Sequence, residues 1–224
     1  MKVSWLYACA ALSALIVAVT STTAGAASPA PTICNGTLSG GMYRGIVVPP
    51  GGQCTVVDAR IAGDVTAENG ATLLAVSVRV SGNVVGDHAL VVQTVSSTVH
   101  GAIDITGAGD SPTGITEVFL GENKVIHGIS VVDSAGTMIV DRNTVKSGDI
   151  TVTDNFVPPF LAFPSQLSVR FNTVSGNVTV SRNTGPSLKE VFSNEVARVL
   201  TCEDNDPPFT GGPNDARAYI GQCF

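Results

Sequence analysis

The chain of 224 residues carries 12 Lys and Arg against 18 Asp and Glu, a formal net charge of −6, and is 44% apolar but only 5% aromatic. That length suffices for one domain with a sizeable core. The acidic balance argues against nucleic acid and anionic membrane as partners.

Residues 1–26 read as a signal peptide: Lys2, an apolar run from Trp5 to Val19, then the small-residue site Ala24-Gly25-Ala26. The run is shorter than the ~20 apolar residues of a membrane span, and no later stretch approaches that length. The mature chain is therefore expected to be secreted or otherwise extracytoplasmic, with no transmembrane segment. Cleavage leaves 11 basic against 18 acidic residues, a net charge of −7, and removes Cys9. The four remaining cysteines, Cys34, Cys54, Cys202 and Cys223, are an even set in an exported chain, and disulfides are their expected state. Zinc-ligand spacing is missing, and none of the three histidines lies near a cysteine in sequence.

Residues 27–60 read as an N-terminal cap segment, 61–205 as a repeat array and 206–224 as a C-terminal cap segment. Within the array, SGDITVTDN at 147–155 returns as SGNVTVSRN at 175–183 and, more loosely, as ARVLTCEDN at 197–205. Aligning the first apolar residue of the phrase gives a column of Val65, Val84, Ile103, Ile129, Ile150, Val178 and Leu200, with steps of 19, 19, 26, 21, 28 and 22. Two residues on, a second small or apolar column runs from Ala67 through Gly86, Ile105, Val131, Val152 and Val180 to Cys202. The intervening column is mostly polar, so the alternation is that of a half-buried strand. Four or five residues upstream stands Val80, Val99, Val125, Val145, Val174 or Val196, a separate short strand before a tight corner.

A unit of this size cannot bury its own apolar face, so copies must stack. The predicted fold is all-β: a parallel β-helix of about seven rungs, with like residues piled into ladders. Asn123, Asn143, Asn172 and Asn194 form one further ladder and Asn155, Asn183 and Asn205 another. Asn tolerates the left-handed conformation of a sharp corner, and stacked amides hydrogen-bond between rungs, so these are expected as corner residues.

Over about residues 60–205 these ladders resemble the right-handed parallel β-helix proteins of the pectin-lyase-like type. The closing run CEDNDPPFTGGPNDARAYIGQC is similar to the ending of uncharacterised secreted bacterial proteins of that build. The resemblance implies clustered Asp residues that hold calcium or act as acid and base. The best such cluster in the sequence is Asp64 and Glu68 on one rung with Asp87 on the next. Asp104 is the single acid of the outward anchor column, a poor catalytic face. Asp154, Arg182 and Asp204, and likewise Asp141 and Arg170, stack as opposite charges. His100 and His127 are expected as corner residues.

No nucleophile motif or phosphate-binding glycine loop occurs, no cofactor is implied, and the threonine ladder of Thr151, Thr179 and Thr201 is broken by Val85 and Asp104. The long steps insert residues 106–114 and 156–166 after the anchor strand, and 206–212 follows the corresponding strand of the last rung. All three are expected at one corner, two rungs apart. There Phe156, Phe160, Phe163 and Phe209 beside Asp110 are the predicted ligand-binding group.

A bridge needs Cα atoms within about 7 Å, whereas a rod holds its ends several rungs apart. Cys34 is therefore expected to pair with Cys54, and Cys202 with Cys223. The function read from the sequence is an exported non-catalytic β-solenoid, structural or binding an unidentified extracellular ligand or surface. The alternative is a calcium-assisted lyase or hydrolase of acidic polysaccharide.

Overall fold

The computed structural model describes residues 30–109, 117–159 and 166–223, all of them strand, turn or loop without a helix. The chain winds as a parallel β-solenoid of about nine turns. At roughly 4.8 Å per rung the rod is about 40 Å long. A typical rung has three strands: a long one such as Thr72–Val76, a two-residue one such as Arg79–Val80, and an anchor strand such as Val84–Asp87. Stacking gives three parallel ladders, called here the long, short and anchor sheets.

The anchor register is the one the repeat implies. Val65 pairs with Val84, Val84 with Ile103, Ile103 with Ile129, Ile129 with Ile150, Ile150 with Val178 and Val178 with Leu200. The valine column stacks in the same way from Val80 to Val196. Side chains of both columns are buried. Volumes are matched between rungs. A Cβ on Gly86 would stand 3.0 Å from Ile105 Cδ1 and 2.9 Å from Val92 Cγ2, so the larger Ile105 fills the space that glycine leaves.

Two extra rungs lie outside the repeat array. Ile46 pairs with Val65, which adds a rung built from Gly36–Ser39, Met42–Tyr43 and Ile46–Val48. Leu200 pairs with Tyr219, and Glu190 with Thr210, which adds a last one. The count is therefore about nine rather than about seven. These end rungs are not repeat-like: the first has Gly40 and Gly41 at the corner before Met42–Tyr43, and Tyr219 is 40% exposed where the anchor column is otherwise buried. Each end is fastened as expected, with Cys34 and Cys54 at a Cα separation of 5.6 Å and Cys202 and Cys223 at 5.5 Å. Bridges closing about 20 residues contribute roughly 3 kcal/mol each on the chain-entropy account.

The asparagines do stand at corners, but they are not the left-handed residues. That conformation belongs to the residue before each: Glu122, Arg142, Phe171 and Ser193 in one ladder, Asp154, Arg182 and Asp204 in the other. The turn this makes points the following amide into the rod. There Asn143 Nδ2 donates to Leu120 O (2.8 Å), and Asn143 Oδ1 accepts from the backbone N (3.0 Å) and Nδ2 (3.0 Å) of Asn123. Asn172 and Asn194 repeat the pattern up to Asn214. The second ladder runs from Ser134 through Asn155, Asn183 and Asn205 to Gln222. Each amide thus satisfies corner backbone groups of the preceding rung that water cannot reach.

One inward position breaks the pattern. Lys189 pairs in register with Leu167, is 2% exposed, and donates from Nζ to Gly185 O. Burial pushes its ammonium below the usual lysine range, while Asp206 pulls it back.

Two outcomes are expected. Asn143→Ala leaves the Asn123 N–H and the Leu120 carbonyl without their amide partner and should cost roughly 3–5 kcal/mol in urea unfolding. Asn214→Ala, at the part-exposed end of the same ladder, should cost far less. For Lys189, the unfolded chain binds more protons than the folded one between the lowered pKa and the ordinary value, so stability contributed at this site rises with pH in that window. Lys189→Met should therefore melt higher than the wild type at neutral pH, and the gap should narrow toward pH 10; a gap independent of pH would contradict a charged buried ammonium.

Candidate functional site

The three carboxylates of the acidic cluster have separate tasks. Asp64 stands immediately before its anchor strand, and its Oδ1 accepts from Asn83 N (2.7 Å) and Nδ2 (3.3 Å) on the next rung. Asn83 Oδ1 in turn accepts from Ala102 N at 2.9 Å. The same device recurs with Asp149, Asn177 and Val199. This is a third corner ladder, legible only as an Asp or Asn one residue ahead of the anchor. Asp87 faces His88 instead, at 2.6 Å from Nδ1. Glu68 is part-exposed beside them, with its backbone N bonded to Val48 O. Among the described residues no three His, Cys, Asp or Glu side chains converge in a way that would hold a metal ion.

Of the stacked charges, Asp154 pairs with Arg182 and Asp141 with Arg170, while Asp204 attracts Arg182 only from a longer distance. Arg182 holds Asp154 through both Nε and Nη2 at 2.7 Å, which keeps the Asp154 carboxyl below the usual range. Asp141, nearly buried, takes Arg142 at 2.6 Å and Arg170 at 3.3 Å. Asp104 has Val85 and Ser130 in register on either side, and partial burial raises its pKa. A catalytic pair would need a second carboxylate there.

The insertions do leave between an anchor strand and the next long strand, after Ala102–Thr106, Ile150–Thr153 and Glu195–Glu203. Asp110, Phe160 and Phe163 lie outside the described residues. Phe156 is 47% exposed and bridges Ala135 and Thr184 on the rungs beside it, while Val157 is fully buried. Phe209 does not join it at the surface. It is 5% exposed and belongs to the core, where it covers the interior of the last rungs.

The more distinctive aromatic group stands at the corner between the long and short sheets. Phe171 and Phe192 meet edge to face with ring centroids 5.2 Å apart. Arg142 lies over the Phe171 ring at 5.0 Å and Arg170 over Phe192 at 5.9 Å, both guanidinium groups anchored by Asp141. Phe171 is 42% exposed at φ 54°, the one Phe, Tyr or Trp among the left-handed non-glycine residues of the described chain. Elsewhere that position holds small, polar or charged side chains, which are the types best suited to it. In sequence the sole signal is a Phe just before a ladder asparagine.

Compared with protein-family models, curated proteins and solved structures, the chain matches none, so any reading of its function rests on its own residues.

Proposed function

We propose that this protein is an exported β-solenoid without catalytic activity, a rigid rod that binds a partner at the corner built around Phe171. The observation that carries the reading is the conformation of Phe171 itself. A bulky side chain in the left-handed region costs of order 1–3 kcal/mol. The edge-to-face contact and the exposed cation–π contact return an amount of similar size, so fold stability alone gives little reason to keep an exposed Phe there. A ring flanked by oriented guanidinium groups on a rigid edge is the kind of surface that anchors a partner. Two local disulfides suit an oxidising, extracytoplasmic setting. Asp64, Asp141, Asp149 and Asp154 are engaged in rung-to-rung contacts.

Phe171→Asn separates binding from packing. A binding role predicts stability within about 1 kcal/mol of the wild type, because relief of strain offsets the lost ring contacts, together with loss of partner capture. Destabilisation by more than ~2 kcal/mol with capture intact would assign the ring to packing.

The competing reading, a calcium-assisted lyase or hydrolase, is tested by assaying pectins, alginates and glycosaminoglycans with and without calcium. No turnover is expected. Calcium-dependent turnover abolished by changing Asp64, Glu68 and Asp87 together would overturn the proposal.

A further inference from the structure

The net negative charge conceals a segregated surface. Of the eleven Lys and Arg among residues 30–223, Arg142, Arg170 and Arg182 are ion-paired and Lys189 is buried. Most of the others gather on the short sheet and the corner that follows it. The outward column of the short sheet reads Arg60, Arg79, Thr98, Lys124, Thr144 and Thr173 on six successive rungs, paired in register throughout. No carboxylate interrupts it until Glu195 and Asp215 at the far end.

Two features of this column are unexplained by folding. Arg60 and Arg79 are directly opposite each other, both exposed, and neither has an ion-pair partner among the described residues. Like charges so placed destabilise a sheet. The corner beside the column adds Lys146, Arg198 and Arg217 in shallow troughs, while its two carboxylates, Asp64 and Asp149, are tied to Asn83 and Asn177 of the next rung. The nearest acids on the other flank, Asp58 and Glu122, occupy left-handed corner positions, and Glu122 accepts from Ser96 Oγ at 3.0 Å.

We infer that the short-sheet column is a binding track for a linear glycan bearing sulfate or phosphate esters. Each rung offers one cation or hydroxyl, about 4.8 Å from the next, so a chain whose anionic groups recur at one or two rung spacings meets a donor at each. Adjacent guanidinium groups present forked donors suited to tetrahedral oxyanions, and threonine hydroxyls supply the bonds between them. The troughs are open rather than enclosed, as an extended polymer requires. No aromatic ring stands in the column for bases to stack on, which separates it from a single-stranded nucleic-acid groove. The acids Asp87, Asp104 and Asp133 lie on the anchor sheet and its following corner, where they repel the same polymer and confine it to the track.

The test compares two variants of equal net charge. Arg60→Gln, Arg79→Gln and Lys124→Gln together remove three charges from the track. Thr66→Glu, Thr151→Glu and Thr201→Glu together add three carboxylates to the outward face of the anchor sheet, on rungs that do not adjoin and with no acid opposite any of them. Binding to heparin oligosaccharides (sulfate) and to phosphate-esterified mannan (phosphate) is measured by titration calorimetry at two salt concentrations, with melting curves for each protein. The wild type should bind at least one of the two glycans, the tighter identifying the ester, with affinity falling about tenfold or more between 50 and 200 mM salt. The Gln variant should lose at least about tenfold in affinity while melting no lower than the wild type, since removing Arg60 and Arg79 relieves repulsion. The Glu variant should bind within about threefold of the wild type. Equal losses in the two variants, no binding of either glycan, or equally tight binding of polygalacturonate or single-stranded DNA would overturn the inference.

Discussion

Everything in this molecule depends on rung-to-rung registry at the corners. Within a sheet, parallel strands satisfy one another's backbone groups as a matter of course, but a chain that turns three times per rung leaves corner N–H and C=O groups aimed at the interior. The rod closes because side chains stacked in register meet them. Asn Nδ2 reaches the carbonyl of the rung before, and Oδ1 takes that rung's corner N–H. Removing one amide leaves groups of its neighbour unpaired, so these ladders hold the register as well as the stability.

The same requirement explains why so much of the polar chemistry is unavailable. Asp64 and Asp149, the acids closest in type to a calcium or acid-base site, are acceptors for the next rung's backbone. Asp141 and Asp154 neutralise arginines stacked upon them. What is left over is informative for that reason. An exposed Phe171 in a conformation that disfavours it, and two arginines stacked on each other without a counter-ion among the described residues, both work against the registry that the remainder of the chain serves. Local conflict of this kind concentrates where a surface has another task.

Glycines without a left-handed turn to make serve the packing in two ways. Gly86 leaves room for Ile105, a packing role inside the rod. At Gly148 and Gly176 a Cβ would run into His127 O and Asp149 Oδ1 of the rung below, so these positions let successive corners approach closely. That close approach aligns the side chains of the short sheet and its corner into a continuous strip.

The sequence by itself determined the anchor and valine columns, the amide ladders and the stacked charges, because each recurs at a constant offset from the same apolar residue, and the local disulfides followed from the length of the rod that this recurrence implies. The end rungs escaped it: Gly40 and Gly41 form a corner of the first, and in the last Tyr219 replaces a buried aliphatic although Asn214 continues the amide ladder. So did the long sheet, whose inward positions mix Leu73, Thr94, Met138 and Lys189 and so show no constant residue type. Which corner residue is left-handed was also undetermined: φ depends on how the chain enters the turn, and Asn and its predecessor are equally compatible with the letters. The pairing of Phe171 with Phe192, and of Arg60 with Arg79, was decided only by the tertiary structure. Rungs here differ in length by up to nine residues, and only the hydrogen-bonded register says which side chain stands on which.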